Sequence, residues 1–346
     1  MIFESKFLSF AYVFLSAVSF FGAANQARAD LNPNCSKLVP FLENSSDASS
    51  IEKSGCYYLD RNFSLGWIGS FPEGGLLTKK AQKGPIINID ADSVLFNLNG
   101  KTVSSKSYVG GIEISPTSNP FKGQITIRNG TLILKNGDSS DPYSGVGIRL
   151  GYDQSPNKIK YPHYDFDNSV DLANLPAGDL KFRQVRYVLE DLTIKAGYTA
   201  AILSGDGIVV RNCIIEVEGP NALAVFGPNA IIENNTIVYK YVVGRQRVGA
   251  LKDSTLIRSA IYLHGADNAI IRGNTIKIQA GDLLANAVSA ISSKNVRIDG
   301  NKFSNNRIVE LLGDSSAILV GNLTKNGLLG GEQIMPDQVL ESVKKR

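Results

Sequence analysis

Residue types that usually carry chemistry are scarce in this chain. Among 346 residues there are three cysteines and two histidines. Any imidazole acid or base must therefore be His163 or His264. Lys and Arg number 36 against 32 Asp and Glu, for a net charge of +4. Without residues 1–29, which hold Lys6, Arg28 and Glu4, it falls to +3. No Lys/Arg run or basic helix is present, which excludes nucleic acid as a partner. Beyond the N-terminal region no segment is long and apolar enough to span a bilayer.

That N-terminal region is the exception. Lys6 precedes the run FLSFAYVFLSAVSFFGAA, and ARA at 27–29 forms a small-x-small site before Asp30. The pattern predicts a signal peptide over 1–29, cleaved on export to the periplasm or exterior; the alternative is a retained anchor. In an oxidising compartment Cys35 and Cys56 can pair, or both can stay free thiols. Cys213, inside an apolar stretch, reads as a small buried hydrophobe.

What the chain does have is self-similarity. ITIRNGTLIL, YVLEDLTIKA, IVVRNCIIEV, AIIENNTIVY, AIIRGNTIKI, VRIDGNKFSN and AILVGNLTKN each join two β-rich runs through a polar pair. Leu189, Val210, Ile232, Ile271, Ile298 and Leu319 mark equivalent positions, most of them 21 or 22 residues apart. A third run, such as TAAILSG, NALAVFG or SAIYLHG, follows within most units. Three short strands cannot bury a face alone, but stacked copies can, around an apolar bore.

The polar pair is then a corner. Asn129, Asp191, Asn212, Asn234, Gly273, Gly300 and Gly321 occupy its first position, where left-handed backbone suits Asn, Asp and Gly. Asn235, Asn274, Asn301 and Asn322 follow, with Gly130, Leu192 and Cys213 as exceptions, and stacked amides can hydrogen-bond along the axis. These asparagines are structural rather than ligands.

These repeats resemble the right-handed parallel β-helix, pectin-lyase-like superfamily over about 84–324, and GCYYLDRNFSL with INIDADSVLFNLNGKTV resembles a first coil of exported bacterial members. The resemblance implies an all-β, single-stranded right-handed parallel β-helix of roughly eight or nine coils with N- and C-terminal caps. Residues 30–83 form the N-terminal cap and first coil, 84–324 the helix, and 325–346 the C-terminal cap or tail. Within that tail PDQVLESVKKR at 336–346 reads as a short helix, with Pro at its start, Val339, Leu340 and Val343 on one face and basic residues at its end.

Relatives act on acidic polysaccharides as lyases, hydrolases or epimerases, and others only bind or form adhesins. The resemblance thus implies a polysaccharide partner. The catalytic signatures of the polygalacturonase-like hydrolases and the Asp-Pro-His of the mannuronan epimerases are absent. No cofactor is required by the sequence; calcium is implied by the family alone, and no acidic cluster matches its site. Fold does not give function.

Insertions on a rigid scaffold are where a site can be built. Residues 152–186 hold Tyr161, His163, Tyr164, Asp165 and Asp167. Tyr161 and Tyr164 can stack on sugar rings, His163 can act as general acid or base, and a carboxylate can orient it. Residues 240–258 hold Arg245, Arg247, Lys252 and Arg258, which can neutralise uronate carboxylates. A third insertion, 135–144, holds Asp138, Asp141 and Tyr143. In SAIYLHG, inward Ile261 and Leu263 place Tyr262 and His264 outward. Tyr262 is then a further sugar platform, and His264 is either an exposed histidine or part of a His163–His264–Asp267 cluster. Three functions compete: an enzyme on a uronate-rich glycan, a non-catalytic exported glycan or surface binder, and an accessory periplasmic protein.

Overall fold

The computed structural model describes residues 35–38, 49–65, 85–105, 110–114, 123–134, 145–150, 185–219, 221–240, 258–279, 285–304, 307–329, 332–334 and 339–341. Its described elements are all strands. Ten strands form one sheet and nineteen form a second, which bends at the polar corners. Pairing is parallel until the C-terminal strands. Stacking already includes Ser49–Ile51 on Ile87–Ile89 and Gly55–Tyr58 on Val94–Asn97.

Register settles the repeat. Leu189 pairs with Val210, Val210 with Ile232, Ile232 with Ile271, Ile271 with Ile298, and Ile298 with Leu319. All six are buried in one continuous core. Alternate residues of each strand face that bore, so every unit adds a rung of aliphatic contacts to its neighbours.

The corners are left-handed. Asn129, Asp191, Asn212 and Asn234 have φ between 53° and 56°, and Gly273, Gly300 and Gly321 between 60° and 64°. Most side chains cost about 1–2 kcal/mol there. Asn212→Val is therefore expected to cost at least about 1 kcal/mol in chemical denaturation, and Asn212→Gly close to nothing. Equal losses for both would refute this account of the corner.

Behind each corner runs a buried amide ladder. Nδ2 of Asn235 donates to Oδ1 of Asn274 at 2.9 Å, Asn274 to Asn301 at 2.9 Å, and Asn301 to Asn322 at 3.0 Å. The same Nδ2 atoms donate down to the carbonyls of Val210, Ile232 and Ile271. Each Oδ1 also accepts the backbone N–H of the preceding rung's residue, starting with Cys213. Cys213 thus sits at the foot of the ladder, where burial pushes its thiol up to about 12. A thiol held protonated is inert as a nucleophile.

Two further ladders line the outside. Asn229, Asn268 and Asn295, all near φ 60°, link their amides on the exposed surface. On the larger sheet, Arg128, Glu190, Arg211, Glu233, Arg272 and Asp299 form one column in register. Its charges alternate in sign, with ion pairs joining Glu190 to Arg128 and Arg211, and Glu233 to Arg272. Opposite charges face each other across neighbouring strands, so the column neutralises itself.

A disulfide joins Cys35 to Cys56, with their Cα atoms 4.6 Å apart. Each lies in or beside strands that pair with each other, Ser36–Lys37 on Tyr57–Tyr58. At the other end the tail differs from the helix expected over 336–346. Val339–Glu341 is a strand, antiparallel to Arg307–Leu312. Glu332–Ile334 pairs antiparallel with Ala317–Val320, and Gly327–Leu329 with Asn322–Thr324. The last coil offers unpaired N–H and C=O groups, and reversed strands satisfy them where a helix would not.

Candidate functional site

The two sheets present different outer surfaces. The corners of the larger sheet are short: two residues separate Arg211 from Ile214, Glu233 from Thr236, and Arg272 from Thr275. The insertions instead lie in the connections between the two sheets, each joining a strand of the larger sheet (Gly123–Leu134, Val185–Ala196 or Thr236–Tyr239) to one of the ten-stranded sheet. Residues 135–144 and 152–186 flank Ile148–Leu150 in the chain, and 240–258 leads into Ser259–His264. Asp138, Asp141, Tyr143, Tyr161, His163, Tyr164, Asp165, Asp167, Arg245, Arg247 and Lys252 lie outside the described residues.

The outward columns of the ten-stranded sheet are given by register. One runs through Asn88, Glu113, Arg149, Ile202, Ala224, Tyr262, Ser289 and Glu310. The next runs through Ser204, Phe226, His264, Ile291 and Leu312. Ala224, Phe226, Tyr262 and Ile291 form a second apolar cluster, separate from the bore, with Ile202 and Leu312 packed against it.

Tyr262 and His264 do point away from the bore, but the expectation of exposure is overturned. Tyr262 is 1% exposed and His264 0%. The Phe226 ring centroid lies 5.8 Å from that of Tyr262 and 6.0 Å from that of His264. The Tyr262 and His264 rings also meet edge to face, 6.5 Å apart, and Ile291 flanks His264 on the next rung. Tyr262 is therefore not an open sugar platform in this structure.

Nor does Asp267 orient His264. The Asp267 carboxylate accepts the Lys294 backbone N–H at 2.7 Å on the exposed side of the turn. Neither ring nitrogen of His264 has a hydrogen-bond partner. Burial pulls its imidazole from the ordinary 6.5 down to about 4. A neutral, enclosed ring with no partner cannot exchange protons with a substrate in this state.

The polar part of this face lies further along. Arg307 donates Nε–H to Oδ1 of Asn286 at 3.0 Å, and Asn286 donates Nδ2–H to Glu310 at 2.6 Å and to Ser289 at 3.2 Å. Glu310 and Arg307 approach to 3.7 Å. On the two preceding rungs Asn221 donates to Ser259 at 3.1 Å. Sequence reading missed this group, because its members come from two coils and no motif joins them. At the other end of the face Glu113 and Arg149 pair directly.

Among the described residues no group of three or more His, Cys, Asp or Glu side chains is placed to hold a metal ion. No helix among them is long and apolar enough to cross a membrane. Comparison with curated proteins and with solved structures returned no match. Residues 182–327 match the family model described as right handed beta helix region, and with rungs stacked in parallel register within that stretch and N-terminal to it the fold is a right-handed parallel β-helix.

Proposed function

We propose that this is an exported carbohydrate-binding β-helix that engages an acidic, uronate-containing polysaccharide through the insertions in the connections between its two sheets. The observation that carries the reading is the asymmetry of the two sheets. The larger one turns through short corners and spends its charges on itself. The connections that lead to and from the smaller one hold the insertions rich in Tyr, His, Asp, Arg and Lys. Loop segments carried on a rigid scaffold are the usual place for binding. A flat stack with one strand spacing per rung also suits a linear polymer. The disulfide agrees with an oxidising, extracytoplasmic location.

Binding without turnover is favoured over catalysis by one observation: the single described histidine is enclosed. The test uses the chain from Asp30 onward with a panel of polyuronates, bacterial exopolysaccharides and neutral glucans. Retarded migration in polyuronate gels without release of unsaturated products or reducing ends is the expected result. Product formation would replace binding by a lyase or hydrolase. A folded protein that is retarded by no glycan overturns the proposal.

A further inference from the structure

The corner after Glu233, Arg272 and Asp299 divides the larger sheet into two legs. Charges on the first leg pair off in the alternating column. On the second leg the earlier lysines, Lys195 and Lys240, both pair with Glu216. The last rungs of that leg differ. Lys277, Lys302 and Lys325 are all exposed, and none of them meets a carboxylate among the described residues. The strands at this end, Thr275–Ile278, Lys302–Phe303, Asn322–Thr324 and Gly327–Leu329, contain no Asp or Glu.

Register gathers these side chains. Thr275 pairs with Lys302, Lys302 with Leu323, and Leu323 with Leu328 across the terminal hairpin. Alternation turns Phe303 and Leu329 toward the core and leaves Lys302, Leu323 and Leu328 outward. Lys277 and Lys325 stand two residues beyond Thr275 and Leu323, on the same outward side. Their rungs are about 10 Å apart, two strand spacings. Leu328 is 74% exposed and Leu323 47%. An apolar pair at the end of the stack thus has a collar of unpaired ammonium groups.

A partner that satisfies both features must bury leucine and neutralise lysine. A polyuronate chain takes the lysines and leaves the leucines in water. A second copy docked through the same patch sets lysine against lysine. A bilayer with anionic headgroups offers an apolar layer just beneath a plane of negative charge. We propose that Leu323 and Leu328, with Lys277, Lys302 and Lys325, form a docking surface for an anionic lipid membrane. The leucines enter between the headgroups, and the lysine stems lie beside them with their ammonium groups at the phosphates. This surface is independent of the glycan-binding reading.

The test is co-sedimentation with vesicles of phosphatidylcholine alone or of equal parts phosphatidylcholine and phosphatidylglycerol. It uses the chain from Asp30 onward, which omits the apolar run of residues 1–29 and keeps the compact unit Asn34–Arg346. Thermal melts report folding of each variant. Wild type is expected to bind the mixed vesicles and to stay in solution with phosphatidylcholine. Lys302→Gln is expected to weaken partition roughly fivefold, and the triple variant Lys277→Gln, Lys302→Gln, Lys325→Gln about hundredfold. Leu328→Gln is expected to weaken it about tenfold. Lys294→Gln removes an equal charge from an ion pair with Asp314, and is expected to leave partition unchanged. A folded wild type that ignores the mixed vesicles overturns the proposal. So does an equal loss in Lys294→Gln and Lys302→Gln, which would report net charge alone. Undiminished binding by Leu328→Gln overturns it as well, leaving a simple polyanion site that soluble dextran sulfate would compete for. Silence across the glycan panel leaves the vesicle result untouched.

Discussion

Asn274→Leu is expected to be among the most destabilising single substitutions in the described core. The wild-type amide accepts the Asn235 backbone N–H and Nδ2–H, both at 2.9 Å. It donates to the Ile232 carbonyl at 2.8 Å and to Asn301 Oδ1 at 2.9 Å. Leucine approximates its volume and returns none of these bonds. The Asn235 side chain keeps the Val210 carbonyl, and Asn301 Oδ1 keeps the Asn274 backbone N–H. The Asn235 backbone N–H and the Ile232 carbonyl lose their ladder partner inside the stack. At about 1–3 kcal/mol for each stranded buried group, the cost is about 2–6 kcal/mol. Asn268→Gly removes a rung of the exposed ladder while keeping its left-handed backbone available, and water replaces what is lost; about 0.5 kcal/mol or less is expected. Urea denaturation of both variants checks this. A loss below about 1 kcal/mol for Asn274→Leu would mean that the buried ladder is ornament rather than support.

The second large effect is a pH dependence carried by His264. In the unfolded chain its ring takes up a proton at the ordinary 6.5, and in the folded chain only near about 4. Between those values the unfolded state binds more protons, so acid draws the equilibrium toward it. The stability is fully present above 6.5 and is lost as pH falls toward about 4. The gap corresponds to about 3 kcal/mol. Among described neighbours, Phe226 and Ile291 carry no charge, and burial pushes the Tyr262 hydroxyl up, so it stays neutral throughout the window. Other groups, among them Asp60, Glu216 and Asp314, are held below their usual carboxylate range by lysine partners and also lose stability in acid. The comparison is therefore with His264→Leu, which keeps those groups and removes the imidazole. Wild type is expected to lose about 3 kcal/mol more than this variant across the window. Parallel stability curves for the two proteins would show that His264 does not titrate from a buried state.

The corners were legible in the sequence because they depend on one residue's own backbone. A left-handed position selects Asn, Asp or Gly wherever it occurs, so Asn212 and Gly300 announce the same bend from different coils. Bore positions such as Ile232 and Ile271 were legible through spacing alone. Relations between distant rungs were harder. Alternation assigns Tyr262 and His264 to the outward face, but period two says nothing about whether that face is covered. The Arg307–Asn286–Glu310 group has no spacing signature, because hydrogen bonds across coils can join any two rungs. The tail misled for a different reason. Its Val339, Leu340 and Val343 pattern suits a helix face, yet the open edge of Arg307–Leu312 supplied hydrogen bonds that local preference does not weigh.

The alternating column on the larger sheet has a consequence for how the chain finds its order. A molecule made of near-identical turns risks closing on the wrong turn, with one loop left out. Were Arg128 to meet Arg211, or Glu190 to meet Glu233, as omission of a single turn would require, like would face like along the whole edge. The sign of each residue thus works as a parity mark, rejecting assembly with an odd number of turns skipped while the bore, aliphatic at every level, would accept it.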